Sequence, residues 1–205
     1  MIYLFQGDSI TDCGRDRGDK LSLGDGYVKK IAAFLRENHP DTDATVLNRG
    51  IGGNRVGDLA ARWSEDCLLL KPKLLTILIG INDCWSSSTT AEDYEKTYRE
   101  IINRAYTAVP GLEIILMEPF FLPILPPPDY QNWRRDNLDP KIHATRRIAM
   151  DLNCRLVPLD ALFAQAAAEK GYAFLTGDGV HPTDEGHKLI ADAWIKTVSD
   201  TILFT

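Results

Sequence analysis

Ile2-Tyr3-Leu4-Phe5-Gln6-Gly7-Asp8-Ser9 changes character within two residues: an apolar run gives way to a glycine and two short polar side chains. Apolarity without alternation suits a strand buried on both faces of a parallel sheet. Four further runs of this kind follow at residues 44–48, 74–79, 113–117 and 155–159, beside the first at 2–6. Between them lie helical patterns at 27–38, 56–70, 91–109, 140–152, 161–171 and 183–201. In the first of these, Val28, Ile31, Ala32 and Leu35 share one helical face. His39-Pro40, Val109-Pro110-Gly111 and Gly171 supply stop signals. Strands alternating with helices make an α/β fold with right-handed crossovers that cover both sheet faces. In such a sheet the binding crevice opens at the carboxyl ends of the strands, which directs attention to the residues after Gln6, Asn48, Ile79, Met117 and Leu159.

The 205 residues suffice for one well-buried core, and a single domain over residues 1–205 is the expectation. With 44% hydrophobic and 25% charged residues the composition is that of a soluble globular protein. A formal net charge of -6 disfavours a nucleic-acid binder, which carries a basic footprint. No run approaches the roughly 18 apolar residues of a membrane helix. The N-terminal run is too short for a signal-peptide core and lacks a basic flank, so the expected location is cytoplasmic. Cys13, Cys67, Cys84 and Cys154 are widely spaced without a metal-binding pattern, and free thiols are expected.

Four segments at the predicted strand ends, or before the last helix, carry chemistry. Gly7 allows a sharp turn after the first strand and brings the Ser9 hydroxyl to the crevice; as a plain turn, Asp8-Ser9 would cap a helix. The spacing is not the G-x-S-x-G of a nucleophile elbow. Asp178-Gly179-Val180-His181-Pro182 precedes the last helix. A serine hydroxyl needs a base near neutral pH, and the imidazole needs a carboxylate on its other nitrogen. Asp178 and His181, three residues apart, can share one loop, with Pro182 opening the following helix. Asn48-Arg49-Gly50-Ile51-Gly52-Gly53-Asn54 after the second strand and Gly80-Ile81-Asn82-Asp83 after the third read singly as plain turns, or offer N–H donors for a developing oxyanion: the Gly53 amide and the Asn82 side chain, with the Ser9 amide as the third.

Taken together, Gly7-Asp8-Ser9, Gly53, Gly80-Ile81-Asn82-Asp83 and Asp178-Gly179-Val180-His181-Pro182 resemble the four blocks of the SGNH/GDSL hydrolases, in order and approximate spacing over nearly the whole chain. The resemblance implies a three-layer α/β/α sandwich, flavodoxin-like, with five parallel strands. It implies a serine esterase in which Ser9 is the nucleophile, His181 the base, Asp178 its orienting carboxylate, and Ser9, Gly53 and Asn82 the oxyanion hole. No metal or organic cofactor is implied. Gly7–Arg15, Gly80-Ile81-Asn82-Asp83-Cys84-Trp85 and Ala61-Arg62-Trp63 are similar to the intracellular acetylxylan-esterase branch, whose substrates are acetylated xylo-oligosaccharides. That implies a small-molecule ester substrate and neither a nucleic-acid nor a membrane partner, and leaves homo-oligomer formation open.

Residues 119–139 interrupt the alternation with prolines and aromatics and read as a long loop, a substrate lid or a subunit contact. Trp85, Tyr130 and Trp133 are candidate substrate-binding residues, as stacking surfaces for a sugar ring, or else core or subunit contacts. Phe120-Phe121-Leu122 could instead line an acyl channel, the feature a lysophospholipase or acyl-thioesterase would need. A catalytically inactive carbohydrate-binding protein is the reading outside enzymology; it leaves the full Ser-Asn-Asp-His set unexplained. Cys13 and Cys84 lie near the site loops without a motif-placed histidine, Asp8 reads as a backbone brace, and His187 is expected on the surface of the last helix.

Overall fold

The computed structural model describes residues 1–86 and 89–199. In chain order its elements are β1 (Ile2–Gly7), α1 (Ser9–Asp12), α2 (Tyr27–Asn38), β2 (Thr45–Asn48), α3 (Val56–Asp66), β3 (Leu74–Leu78) and α4 (Ala91–Ala108). β4 (Glu113–Met117), α5 (Tyr130–Trp133), α6 (Asp139–Asp151), β5 (Arg155–Val157), α7 (Leu159–Lys170), α8 (Tyr172–Leu175) and α9 (Asp184–Ser199) follow. The five strands pair in the order β2-β1-β3-β4-β5, every pair parallel.

The unbroken apolarity of the strand runs is spent on two cores. On one face Tyr3, Phe5, Leu74, Leu78, Ile115 and Met117 meet Tyr27 and Ile31 of α2, Phe163 of α7 and Trp194 of α9. The alternate residues Leu4, Leu75, Ile77, Ile114 and Leu116 face the other way, onto Leu59 and Trp63 of α3, Tyr98 and Ile102 of α4 and Ile148 of α6. Residues i and i+2 of a strand share a face, so one sequence run feeds both layers. The helices on either side complete an α/β/α sandwich. Trp63 and Trp194, both fully buried, anchor opposite faces. The Trp194 indole N–H finds a buried partner in Thr76 Oγ1 at 2.9 Å, as most buried tryptophans do, whereas the Trp63 indole N–H has none among the described residues.

The chain leaves β1 toward β2 on one side and returns to β3 on the other. The switch point between β1 and β3 is where an open α/β sheet forms a crevice. Ser9 follows β1, Gly52 and Gly53 follow β2, and Asn82 follows β3, all at the carboxyl edge.

The boundaries differ from expectation in instructive places. The helix expected over 56–70 ends at Asp66 and passes through a 3-10 turn at Leu68–Leu70 to Lys71, whose φ is 47°. Pro72 follows and disfavours the α conformation at residue 71. The last strand stops at Val157 instead of 159: Pro158 has no N–H for the ladder, and α7 begins directly after it. The loop expected over 119–139 contains α5 and a π-helical turn, Arg134–Leu138, that runs into α6. Residues 200 and 201, part of the last expected helix, lie outside the described residues.

Candidate active site

The nucleophile turn is built locally. Asp8 caps α1, its Oδ1 accepting the Ile10 N–H at 3.0 Å, so the helix-cap reading of Gly-Asp-Ser is correct as local structure. Ser9 is the first residue of that helix, where geometry leaves the N–H without an intrahelical partner. At the far end of the chain the residues around 178 form a closed loop. Thr176 and Pro182 bridge, Gly177 N–H donates to His181 O at 3.2 Å, and Leu122 N–H donates to Gly179 O at 2.9 Å. Gly179 has φ +96°, and a Cβ there would lie 2.2 Å from Leu122 O. Only glycine fits, for backbone and for space. Pro182 closes this bridge instead of opening α9; Thr183 caps that helix, its Oγ1 accepting the Gly186 N–H at 3.2 Å.

These two segments bring Ser9, His181 and Asp178 into one hydrogen-bonded line. Ser9 Oγ lies 2.9 Å from His181 Nε2, and His181 Nδ1 lies 2.7 Å from Asp178 Oδ2. The other Asp178 oxygen accepts the His181 and Val180 N–H groups at 2.8 and 2.9 Å. Burial opposes the Asp178 charge, but the ring and the two backbone donors hold its carboxyl below the usual carboxylate range. An ionised Asp178 takes the Nδ1 proton as a hydrogen bond, so the Nε2 lone pair faces the serine. The His181 side chain is 56% exposed, so solvent and substrate reach it.

Opposite stands the loop after β2. Gly52 runs alongside the serine: a Cβ on it would be 3.8 Å from Ser9 Cβ. Gly53 is exposed, has φ +81°, and a Cβ there would meet nothing within 4 Å. Its N–H has no hydrogen-bond acceptor among the described residues. Asn82 Nδ2 donates one hydrogen to Asn54 O at 3.0 Å, which orients the side-chain amide and leaves its second N–H. The donors of Ser9, Gly53 and Asn82 thus sit on three adjoining turns.

Two buried carboxyls underlie the site. Asp8 is completely buried, its Oδ2 without a partner among the described residues. Burial pushes it up to about 7, against the Ile10 N–H and the nearby His181. Burial likewise pushes Asp83 up to about 6, against the Val56 N–H that it accepts at 3.2 Å.

Trp85, Tyr130 and Trp133 converge on one aromatic wall. Trp85 and Trp133 stack at 4.4 Å between centroids, Tyr130 lies 6.2 Å from Trp133, and Phe121 packs edge-on to both tryptophans. Trp85 remains 47% exposed. Phe120, Phe121 and Leu122 are all buried in the core, Phe120 stacked on Phe163.

His187 is not on the surface. It shares the inward spacing of Ile190, Ala191 and Trp194 on α9, a periodicity visible in the sequence. Its Nδ1 accepts the Tyr27 N–H at 3.2 Å, which places its proton on Nε2, facing Cys13 Sγ at 3.2 Å. Burial depresses His187 to about 4 and raises the Cys13 thiol. The pair is neutral and ties the nucleophile turn to α9; it does not generate a thiolate. Burial also pushes the Cys84 thiol up to about 12. All four cysteines are free thiols. Sequence reasoning also passed over Asn48, whose Nδ2 donates to Thr11 O and Leu23 O while its Oδ1 accepts the Gly50 N–H. Its signal was its position at a strand's carboxyl end. Among the described residues no group of three or more His, Cys, Asp or Glu side chains is arranged for a metal ion, and no helix is long and apolar enough to cross a membrane.

Comparison with known proteins places this chain among ester hydrolases. Residues 5–189 match the GDSL-like lipase/acylhydrolase family. The chain is 36% identical to an acetylxylan esterase from Geobacillus stearothermophilus over 208 aligned residues, covering 95% of this chain and 92% of that protein. The crystal structure of an acetylxylan esterase from the same organism superposes with a TM-score of 0.85 at 34% identity, covering 96% and 93% of the two chains. A protein described as a GDSL-like lipase from Parabacteroides merdae gives a TM-score of 0.91 at 34% identity, covering 98% of this chain and 96% of that one.

Proposed function

From a chain that belongs to the GDSL-like lipase/acylhydrolase family, and is a carboxylic ester hydrolase, we infer a serine esterase that removes O-acetyl groups from carbohydrates of the xylo-oligosaccharide type. The observation that carries the reading is the line from Ser9 Oγ through His181 to Asp178, at 2.9 and 2.7 Å, within hydrogen-bond reach for proton transfer.

In the proposed reaction, His181 Nε2 takes the Ser9 proton as Oγ attacks the acetyl carbonyl. The imidazolium is stabilised by Asp178, and the oxyanion is held by the Ser9 and Gly53 amides and the Asn82 side chain. Collapse breaks the bond to the sugar oxygen, which leaves with the proton from His181. Water, deprotonated by the same imidazole, then hydrolyses the acetyl-enzyme to acetate and returns the proton to Ser9. The acid product carries the second proton of that water and releases it to solvent as it ionises to acetate.

Three features support the substrate class. The relative from Geobacillus stearothermophilus is an acetylxylan esterase. Beside Gly53 lies an open groove of about 420 Å³ lined by Gly53, Arg55, Gly57, Asp58 and Thr89, polar enough for a hydroxylated leaving group. The exposed Trp85 ring, backed by Trp133, offers a face for a pyranose. The Phe120-Phe121-Leu122 run that a long acyl chain would need is committed to the core.

The test is a substrate panel. Acetylated xylo-oligosaccharides and p-nitrophenyl acetate are expected to turn over well, with activity falling by octanoate. Preference for octanoate or longer would replace the sugar reading with a lipid one. An organophosphate is expected to label Ser9, and Ser9→Ala to abolish both label and activity. Normal turnover by Ser9→Ala would end the serine mechanism.

A further inference from the structure

The oxyanion loop is gripped on both sides of Gly53. On one side the Gly52 N–H donates to Asp12 Oδ2 at 3.0 Å, and the same oxygen takes Arg17 Nη2 at 2.5 Å. Asp12 is 7% exposed. On the other side Arg62 Nε donates to Asn54 Oδ1 at 2.9 Å. Its Nη1 reaches Gln6 Oε1 at 2.9 Å and Asp66 Oδ2 at 2.8 Å, and its Nη2 reaches Gly7 O at 3.4 Å. One guanidinium therefore holds the end of β1, immediately before the nucleophile turn, and the residue that follows Gly53. Asn54 is the hub: its side chain accepts from Arg62 and its carbonyl from Asn82. Between the two grips the Gly53 N–H is left without an acceptor among the described residues.

One internal bond closes this loop, from Asn54 N–H to Ile51 O at 3.1 Å, and the rest of its support comes from outside. Gly50, Gly52 and Gly53 bring little rotational restriction of their own, and an oxyanion donor is useful only when fixed before the charge develops. Arginine is suited to such a grip because the donors of its planar fork leave in set directions, which a lysine ammonium cannot reproduce.

We propose that Asp12 and Arg62 are positioning residues that clamp the oxyanion loop, so that the Gly53 amide, the Ser9 amide and the Asn82 side chain address one acyl oxygen. Neither touches substrate. The inference rests on the serine-esterase reading above and adds the groups that preorganise its acceptor side.

The experiment is a double-mutant cycle on p-nitrophenyl acetate, with Arg62→Lys and Asn82→Ala singly and together, each checked for folding by thermal melting. Arg62→Lys is expected to lower kcat about 10- to 100-fold with KM within about twofold, because the loss falls on the transition state. In the Asn82→Ala background the same change is expected to lower kcat by at least threefold less, since both act on one assembly. Asn54→Ala removes only the Arg62-to-loop contact and serves if Arg62→Lys does not fold; the same coupling is expected of it. Asp12→Ala should repeat the kcat pattern from the other side. Folded variants with kcat within threefold of the parent, effects that multiply independently, or a change in KM alone would overturn the clamp. If Ser9→Ala abolishes activity while the cycle shows no coupling, the clamp falls and the esterase reading stands. If Ser9→Ala is active, the esterase reading falls first.

Discussion

The two sides of the site are built by different means. On the base side, Asp178 and His181 belong to one loop; backbone and side-chain bonds among residues 176–183 define it. On the acceptor side, a single turn bond from Asn54 N–H to Ile51 O at 3.1 Å spans Gly53, whose own N–H has no acceptor among the described residues. Asp12, Arg62 and Asn82, from three other parts of the chain, hold its neighbours. A loop with local closure tolerates exposure, as the 56% exposed His181 side chain illustrates. A glycine-rich turn closed by one backbone bond depends in addition on buried polar partners, which are worth more where water cannot compete for them.

The contrast can be broken most severely on the base side. Asp178→Asn keeps the shape but removes the charge that fixes the imidazole tautomer. A fall in kcat of about 10⁴-fold is expected by analogy with other serine triads, with KM little changed; a loss under tenfold would mean that the loop alone orients His181. Asn82→Ala removes one acceptor-side donor and also frees Asn54 O. Steady-state kinetics should show kcat down by about 10²- to 10³-fold, with the melting temperature nearly unchanged.

Gly53→Ala sharpens the comparison with a smaller effect. No atom obstructs the new Cβ, so only the φ of +81° resists it, by about 1–2 kcal/mol. If the clamp holds, chemical denaturation should register that penalty and kcat should fall about tenfold as the amide turns. Gly179→Ala, with Leu122 O 2.2 Å from the new Cβ, is the base-side counterpart and should destabilise more.

The smallest effect on activity is expected of a buried group that makes itself felt through pH and stability. Asp8 rises from 3.8 to about 7 on burial, so between those values the folded chain binds a proton that the unfolded chain has released. Its contribution to stability is full below about 4 and is lost as pH rises through about 7. Asp8→Asn lacks this loss, so its melting temperature relative to the parent should climb by on the order of 10 °C from pH 4 to 7. His187, depressed to about 4, moves stability the opposite way in both proteins and cancels in the difference. A constant gap across the range would mean that Asp8 ionises normally inside the fold.

Much of the fold is legible in the chain because its signals are local. The five strands come from apolar runs whose alternate residues feed two cores, and the all-parallel order follows from helices between them. Boundaries slipped where proline acts, at Pro72 and Pro158, and within residues 119–139, where a composition that reads as loop holds short helical turns. His187 was misread because its polar identity outweighed a spacing that placed it inward with Trp194. The Ser9, Asp178 and His181 side chains, chosen for their chemistry and strand-end positions, lie in one hydrogen-bonded line.

By itself the sequence determined the layered sheet, the carboxyl edge where polar groups gather, and the three-residue link between Asp178 and His181. These depend on periodicity and on neighbours close along the chain. Only the tertiary structure decided that residues 9 and 181 would meet at 2.9 Å, that Arg62 would join Gln6, Gly7 and Asn54, and that Asp12 would hold Gly52. Such contacts connect side chains whose separation in sequence carries no periodic signal. They are set by how helices pack on the sheet, where a buried donor must find an acceptor wherever the chain supplies one.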